Sequence, residues 1–323
     1  MTFQKHTLAA AAAMFLGLTA GASACPSAVP VTADHMVNFK DFGGVPNQFG
    51  VDMTPFFNCA LNYVKANQLR AIYIGYGWYW FQTQPQSIDF PVTIYGDGKG
   101  RTYLIRYYTA TSASQGPLTF LAGANSASVR DLAVVAGQGS VHGAAISLVA
   151  NATNSPSFMF FSDLYLSADP TGNWDYTVYI NGVLKNQDPI GVRDLDFHNC
   201  SVFGAANGAM LLDGVVGFNF IGGGTFPAGG VLGTQGLVVV SPSVDGSLNA
   251  NGQPNGLPSY YLNFNTGPMG GLVLNAALHS HFSAYFQEPV TASSFSVDNI
   301  IIGHAGMGAA LSWKQSKYID PEN

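Results

Sequence analysis

Three segments of the chain repeat one another: Ser128-Val-Arg-Asp-Leu-Ala-Val-Val135, Phe161-Ser-Asp-Leu-Tyr-Leu-Ser167 and Gly191-Val-Arg-Asp-Leu-Asp-Phe-His198. Each is built round an Asp-Leu pair, and the leucines Leu132, Leu164 and Leu195 stand 32 and 31 residues apart. A weaker fourth copy is Ser296-Val-Asp-Asn-Ile-Ile-Ile302. A second strand-like run follows each of the first three: 144–149, 176–180 and 209–212, with later counterparts at 236–240 and 271–274. Two or more strands per repeat without intervening helices predict a solenoid, because one coil cannot bury its apolar side alone and stacked coils can. A propeller needs about four strands per blade of 40–50 residues, and a sandwich does not explain the recurrent Asp-Leu start.

Composition fits stacked coils. Of 323 residues, 9 % are charged against about a quarter in an average protein, and 38 are glycine. Hydrophobic residues make up 47 % of the chain, which excludes disorder. With 12 Lys and Arg in all and a formal net charge of −6 there is no basic stripe for phosphates, so a nucleic-acid partner is excluded.

The N-terminus has the layout of a secretory signal peptide over 1–24: Lys5 and His6, an apolar run from Leu8 to Ala20, then Ala22-Ser23-Ala24. The run is too short to span a bilayer, and no later run reaches spanning length. The expectation is an exported protein, secreted or periplasmic. Cys25 stands where a bacterial lipoprotein carries its lipidated cysteine, although the usual Leu three residues earlier is Ala22. Lipid anchoring through Cys25 is therefore the alternative, in which case Cys59 and Cys200 could pair. One helix is predicted, with Thr54 as N-cap, Pro55 at the first position and Phe56, Phe57, Ala60, Leu61 and Val64 on its apolar face.

The stretches Val37-Asn-Phe-Lys-Asp-Phe-Gly-Gly-Val45, Asp52-Met-Thr-Pro-Phe-Phe-Asn-Cys-Ala60, Ala71-Ile-Tyr-Ile-Gly-Tyr-Gly-Trp-Tyr-Trp80 and Val92-Thr-Ile-Tyr-Gly-Asp-Gly98 come in the order of the opening segment of the pectate-lyase superfamily, and resemble it. The resemblance covers about 70 residues and implies an all-β fold, a right-handed single-stranded parallel β-helix with an N-terminal capping α-helix. It divides the chain into residues 25–36 as a linker and a single β-helix domain over 37–323: an opening cap at 37–106, coils at about 107–303 and a C-terminal cap at about 304–323. Two features depart from the family: its Asp-rich turn is Pro46-Asn-Gln-Phe-Gly-Val-Asp-Met-Thr54 here, and Gly75-Tyr-Gly77 replaces a Pro-Pro-Gly turn. Neither the Trp-Ile-Asp-His strand and Arg-x-Pro-x-x-Arg element of calcium-type pectate lyases nor the Asp-Asp block of polygalacturonases is present.

Candidate chemistry is read from outward positions, since side chains alternate along a strand. With Leu195 and Phe197 inward, Asp196 and His198 point out together, and Tyr165 is expected beside them on the preceding coil, forming an acid–base pair with a sugar-holding Tyr. The structural alternative is a solvated polar strand face. The spacer Asp169-Pro-Thr-Gly-Asn-Trp-Asp175 offers Trp174 as a sugar platform and Asp169 with Asp175 as a carboxylate pair for hydrolysis, against the plain reading of a turn with a Trp folded over it. Arg193 and Arg130 could grip uronate carboxylates or neutralise a ladder of Asp131, Asp163 and Asp194. His279-Ser-His281 puts two imidazoles on one side of an extended segment, a metal half-site without a third ligand. The aromatic cluster from Tyr73 to Phe81 is read first as core under the capping helix and second as a glycan-binding patch.

The resemblance thus implies an exported β-helix acting on a polysaccharide, as a hydrolase through Asp residues or a lyase through a His or Tyr base. No metal or cofactor is required, Ca2+ could neutralise a uronate, and β-helices of this family often form homo-oligomers. The competing expectation is a non-catalytic glycan-binding or cell-surface structural β-helix.

Overall fold

Alternating inward and outward side chains on parallel strands set the architecture. The computed structural model describes residues 25–168, 172–185, 188–227, 236–244, 247–248, 255–287, 290–303 and 317–319. The expected signal peptide, Asp169 and most of the expected C-terminal cap lie outside the described residues. One parallel sheet stacks Met36–Asn38, Ala71–Tyr73, Thr93–Tyr95, Ser128–Ala136, Ser157–Ala168, Val192–Phe203, Val215–Phe226, Ser259–Met269, His281–Phe286, Ile300–Ile302 and Lys317–Ile319 in chain order. A second stacks Leu118–Leu121, Ile146–Val149, Tyr176–Asn181, Gly208–Asp213, Leu237–Val240, Gly271–Leu274 and Val290–Ala292. From Leu118–Leu121 to Val290–Ala292, strands of the second sheet alternate along the chain with strands of the first, which makes a parallel β-helix.

The long strands bend because they carry left-handed residues. Asp131, Asp163 and Asn199 have φ of 59°, 53° and 51°, and Gly222 follows in the same column with φ 69°. An earlier column runs through Ser126, Phe158, Asp194, Gly217, Tyr261, His279 and Asp298, with φ between 52° and 76°. In the first coils a loop replaces the bend, so that Thr93–Tyr95 and Thr102–Arg106 both pair with Ser128–Ala136 on either side of Asp131.

These columns correct the expected repeat register. Leu132 pairs with Leu164, but Leu195 pairs with Met159. Asp131 and Asp163 share a column, whereas Asp194 occupies the other one, beside Phe158 and Gly217. Each Asp serves a left-handed bend, where a short polar side chain is tolerated. Two equivalent bends per strand let one Asp-Leu spelling mark different positions.

Inside, one register row runs Val37, Ile72, Ile94, Val129, Phe161, Phe197, Phe220, Phe264, Phe282 and Ile301. Every member is at most 1 % exposed, and the rings of Phe161 and Phe197 stack at 4.4 Å. Truncating such a phenylalanine costs about 3–5 kcal/mol. Helix α1 (Thr54–Ala66) covers the first coil by burying Phe57, Ala60, Leu61 and Val64, as its apolar spacing predicts. Its N-terminus differs from expectation: Met53 is the cap residue, and Asp52 accepts from Thr54 N, Gln82 N and Thr83 Oγ1. The Thr54 hydroxyl instead donates to Thr83 O, tying the helix to the first coil.

The cysteines also depart from expectation. Cys25 is bonded to Cys59 on the capping helix, with Cα atoms 5.4 Å apart, and Cys200 is free and buried. The pair leaves no Cys25 thiol for a lipid and no Cys59 partner for Cys200. Among the described residues no helix is long and apolar enough to cross a membrane.

Candidate functional site: an aromatic groove and a His–Asp pair

Outward residues past the second bend form a groove of about 770 Å³. Its register row reads Trp78, Tyr103, Ala133, Tyr165 and Ser201, and the next row reads Trp80, Ile105, Val135 and Ser167. Alternation divides the aromatic cluster: Tyr79 and Phe81 join the core, while Trp78 is 51 % exposed and packs on Tyr103 at 5.9 Å. Phe49, 74 % exposed, reaches in from the turn before the helix and stands edge-on to Trp80 and Tyr107 at 5.7 and 5.8 Å. Ala133 keeps the middle of the row low, so rings rise on either side. From Trp78 to Tyr165 is three strand spacings, about 14 Å. The aromatic band continues from Tyr165 through Phe203 to Phe226 at 5.0 and 5.2 Å.

Beneath the groove lies Arg106, between the lining residues Ile105 and Tyr107 and fully buried. Its guanidinium donates to His142 O and Asn173 O and stacks on Trp174 at 4.0 Å. Burial lowers Arg106 to about 10, which leaves it charged at neutral pH, and burial raises the neighbouring Tyr108. Arg106 therefore holds the turn 137–143 against the spacer 172–175. There His142 Nδ1 lies 3.0 Å from Asp175 Oδ1, and Asp175 Oδ2 accepts from Gly143 N. With Nδ1–H donated to the carboxylate, His142 Nε2 is left as the basic nitrogen, and the ring is 60 % exposed. Trp174 Nε1 donates to Ser167 O, at the groove wall.

The predicted residues other than Asp169 have definite places. Tyr165 lines the groove. Asp196 and His198 do point outward together, but register pairs them with Phe160 and Ser162, and Tyr165 faces Ser201, five residues further on. Asp196 instead starts a polar ladder: Asn219 Nδ2 donates to Asp196 Oδ1, Asn263 Nδ2 to Asn219 Oδ1, and His281 Nδ1 approaches Asn263 Oδ1 at 3.4 Å. His279 sits in a left-handed bend against Asp298 and Tyr261, away from the row of His281. Arg193 is exposed beside Ser157 and Val216, in a different row from Arg130. Trp174 is 0 % exposed, so its indole is a wall for Arg106 and not a platform for sugar. Asp175 meets His142, one coil earlier, while Asp196 and His198 pair with residues of the strands on either side of their own. Asp169 lies outside the described residues.

The sequence did not single out Asp213, which is buried on the second sheet. Burial raises it to about 6, against the hydrogen bond from Ser243 Oγ at 2.8 Å. His142 with Asp175 was legible in principle, since their 33-residue separation is one coil. Among the described residues no three His, Cys, Asp or Glu side chains come together as a metal site.

No family model matches the chain, and no curated protein matches it either. Solved structures do. The Agl-KA catalytic domain matches with a TM-score of 0.50 at 13 % identity over 91 % of this chain and 49 % of that one. ORF18 of Geobacillus virus E2 gives 0.46 at 14 % identity, over 88 % and 62 %. Tailspike gp49 from Acinetobacter baumannii bacteriophage Fri1, a capsular polysaccharide depolymerase, gives 0.44 at 11 % identity, over 90 % and 63 %. The chain spans about half to under two-thirds of the length of these structures. At such identities the likeness is one of fold: this chain is a parallel β-helix protein, the architecture implied by its pectate-lyase-type opening segment.

Proposed function

We propose that this is an exported β-helix protein that acts on a polysaccharide, holding the glycan in the groove between Trp78 and Tyr165. The observation that carries this reading is the set of outward aromatic rings around one elongated depression on the parallel sheet. Sugar rings present apolar C–H faces that pack on indole and phenol rings, and Tyr and Trp supply that area with a polar edge at low conformational cost. The disulfide from Cys25 to Cys59 supports an oxidising compartment and so export.

A second reading, in which the bound chain is cut, is favoured by His142. Its Nε2 is available as a proton acceptor, Asp175 orients the ring, and the residue before Asp175, Trp174, is bonded to the groove residue Ser167. Hydrolysis by a pair of carboxylates has no such support: Asp175 is bonded to His142, and Asp196 to Asn219.

The test is incubation of the purified full chain with a panel of soluble polysaccharides, following retention in affinity gels, new reducing ends and absorbance near 235 nm. Retention that Trp78→Ala weakens supports the groove. Product formation abolished in His142→Gln and Asp175→Asn, with retention intact, supports the second reading. A panel on which nothing is retained or cut counts against both.

A further inference from the structure

We infer that the groove selects an uncharged glycan, in preference to a uronate- or sulfate-bearing one. This rests on the groove being the glycan site and adds the class of sugar. Among the described residues that line it, Lys99 is the one charged side chain. The Lys99 ammonium is not a free cation over the floor, since its Nζ donates to Asn199 O at 3.2 Å. The same Asn199 donates its side-chain amide to the carboxylate of Asp163, so a negative charge stands behind the lysine. Asp97, two residues before Lys99, adds another at the base of that loop, where it accepts from Tyr73 Oη.

Arg106 supplies nothing to the groove. Its guanidinium is buried on the inner side, committed to two backbone carbonyls and the Trp174 ring. Beyond the groove the chain has a formal net charge of −6, and a polyanion approaching it is repelled at long range. A carboxylate in the groove would be desolvated against indole and phenol rings with one lysine, already partnered, to compensate. A neutral pyranose meets none of these penalties. Its C–H faces pack on Trp78 and Tyr103, and its hydroxyls reach Ser167 and the phenol edges.

Isothermal titration of the full chain tests this with neutral polymers (laminarin, galactomannan, arabinoxylan) and acidic ones (alginate, polygalacturonate), each at about 20 mM and about 500 mM NaCl. The expected result is binding of at least one neutral polymer, with a Kd that changes less than about twofold with salt and less than about twofold in Lys99→Gln. Binding restricted to acidic polymers, with affinity lost in high salt or in Lys99→Gln, overturns the inference while leaving the groove as the glycan site. No binding to any polymer removes the groove reading, and this inference with it.

Discussion

Asp213 ends the strand Gly208–Asp213, and its side chain is 6 % exposed with Ser243 Oγ as its hydrogen-bond donor. Burial raises its pKa from 3.8 to about 6, so the folded chain holds this proton more tightly than the unfolded one. The sign follows: the group contributes most to stability below about pH 4, and that contribution is lost as pH rises through about 6. Asp213→Asn removes the penalty of the buried charge. Thermal melts should show the variant more stable than wild type at pH 8, by on the order of 2 kcal/mol, with the difference gone by pH 4. A constant difference across that range contradicts the assignment. At the same scale, the outward direction of Tyr165, Asp196 and His198 was legible from alternation alone. Their mutual register was not, because the bends at Asp163 and Asn199 look like ordinary polar positions in the sequence. Which of the two readings of Trp174 holds was hidden for a related reason: a Trp in a polar spacer resembles a platform, and nothing local shows that Arg106, 68 residues earlier, stacks on it.

Among the elements, the bent strands and the capping helix carry most of the design. The opening segment made the helix and the first coils legible, and the helix's apolar face lies where its spacing put it. Left-handed columns were hidden because their occupants differ in type: Ser126, Phe158, Asp194 and Gly217 do the same backbone work. Of these, Phe158 suits it worst, being bulky, 64 % exposed and at φ 57°. Phe158→Asn should stabilise the fold by about 0.5–1 kcal/mol, read as a higher denaturation midpoint, because Asn tolerates the left-handed region. Destabilisation would mean that the ring makes contacts worth more than the strain. On the helix, the bond between Cys25 and Cys59 closes a separation of 34 residues and pins the N-terminal segment to the cap. In the chain-entropy account that is worth about 3–4 kcal/mol. Cys59→Ser, or reductant added to wild type, should lower the melting temperature alike, while Cys200→Ser should not reproduce the effect. A peptide map linking Cys59 to Cys200 would contradict the assigned pairing.

For the molecule as a whole, low charge and abundant glycine follow from stacking. The inner row from Val37 to Ile301 is apolar in every coil, and tight approaches recur at the bends: a Cβ on Gly223, at φ 70°, would lie 2.0 Å from Cys200 O. Continuous ladders leave the outer face as the place where sequence can vary, and there aromatic side chains gather on one stretch of sheet while carboxylates scatter. Composition made the list of chemical candidates short, but it could not say that Trp78 belongs with Tyr165. That needs the coil-to-coil register across three intervening strand contacts. Whether Trp78 and Tyr165 hold one glycan is therefore measured by titrating the best-retained glycan into wild type and into a double variant, Trp78→Ala with Tyr165→Ala. The expected result is at least about a thirtyfold rise in Kd, as for removal of two aromatic anchors, with the melting temperature within about 3 °C of wild type. Unchanged affinity in a folded double variant would contradict it.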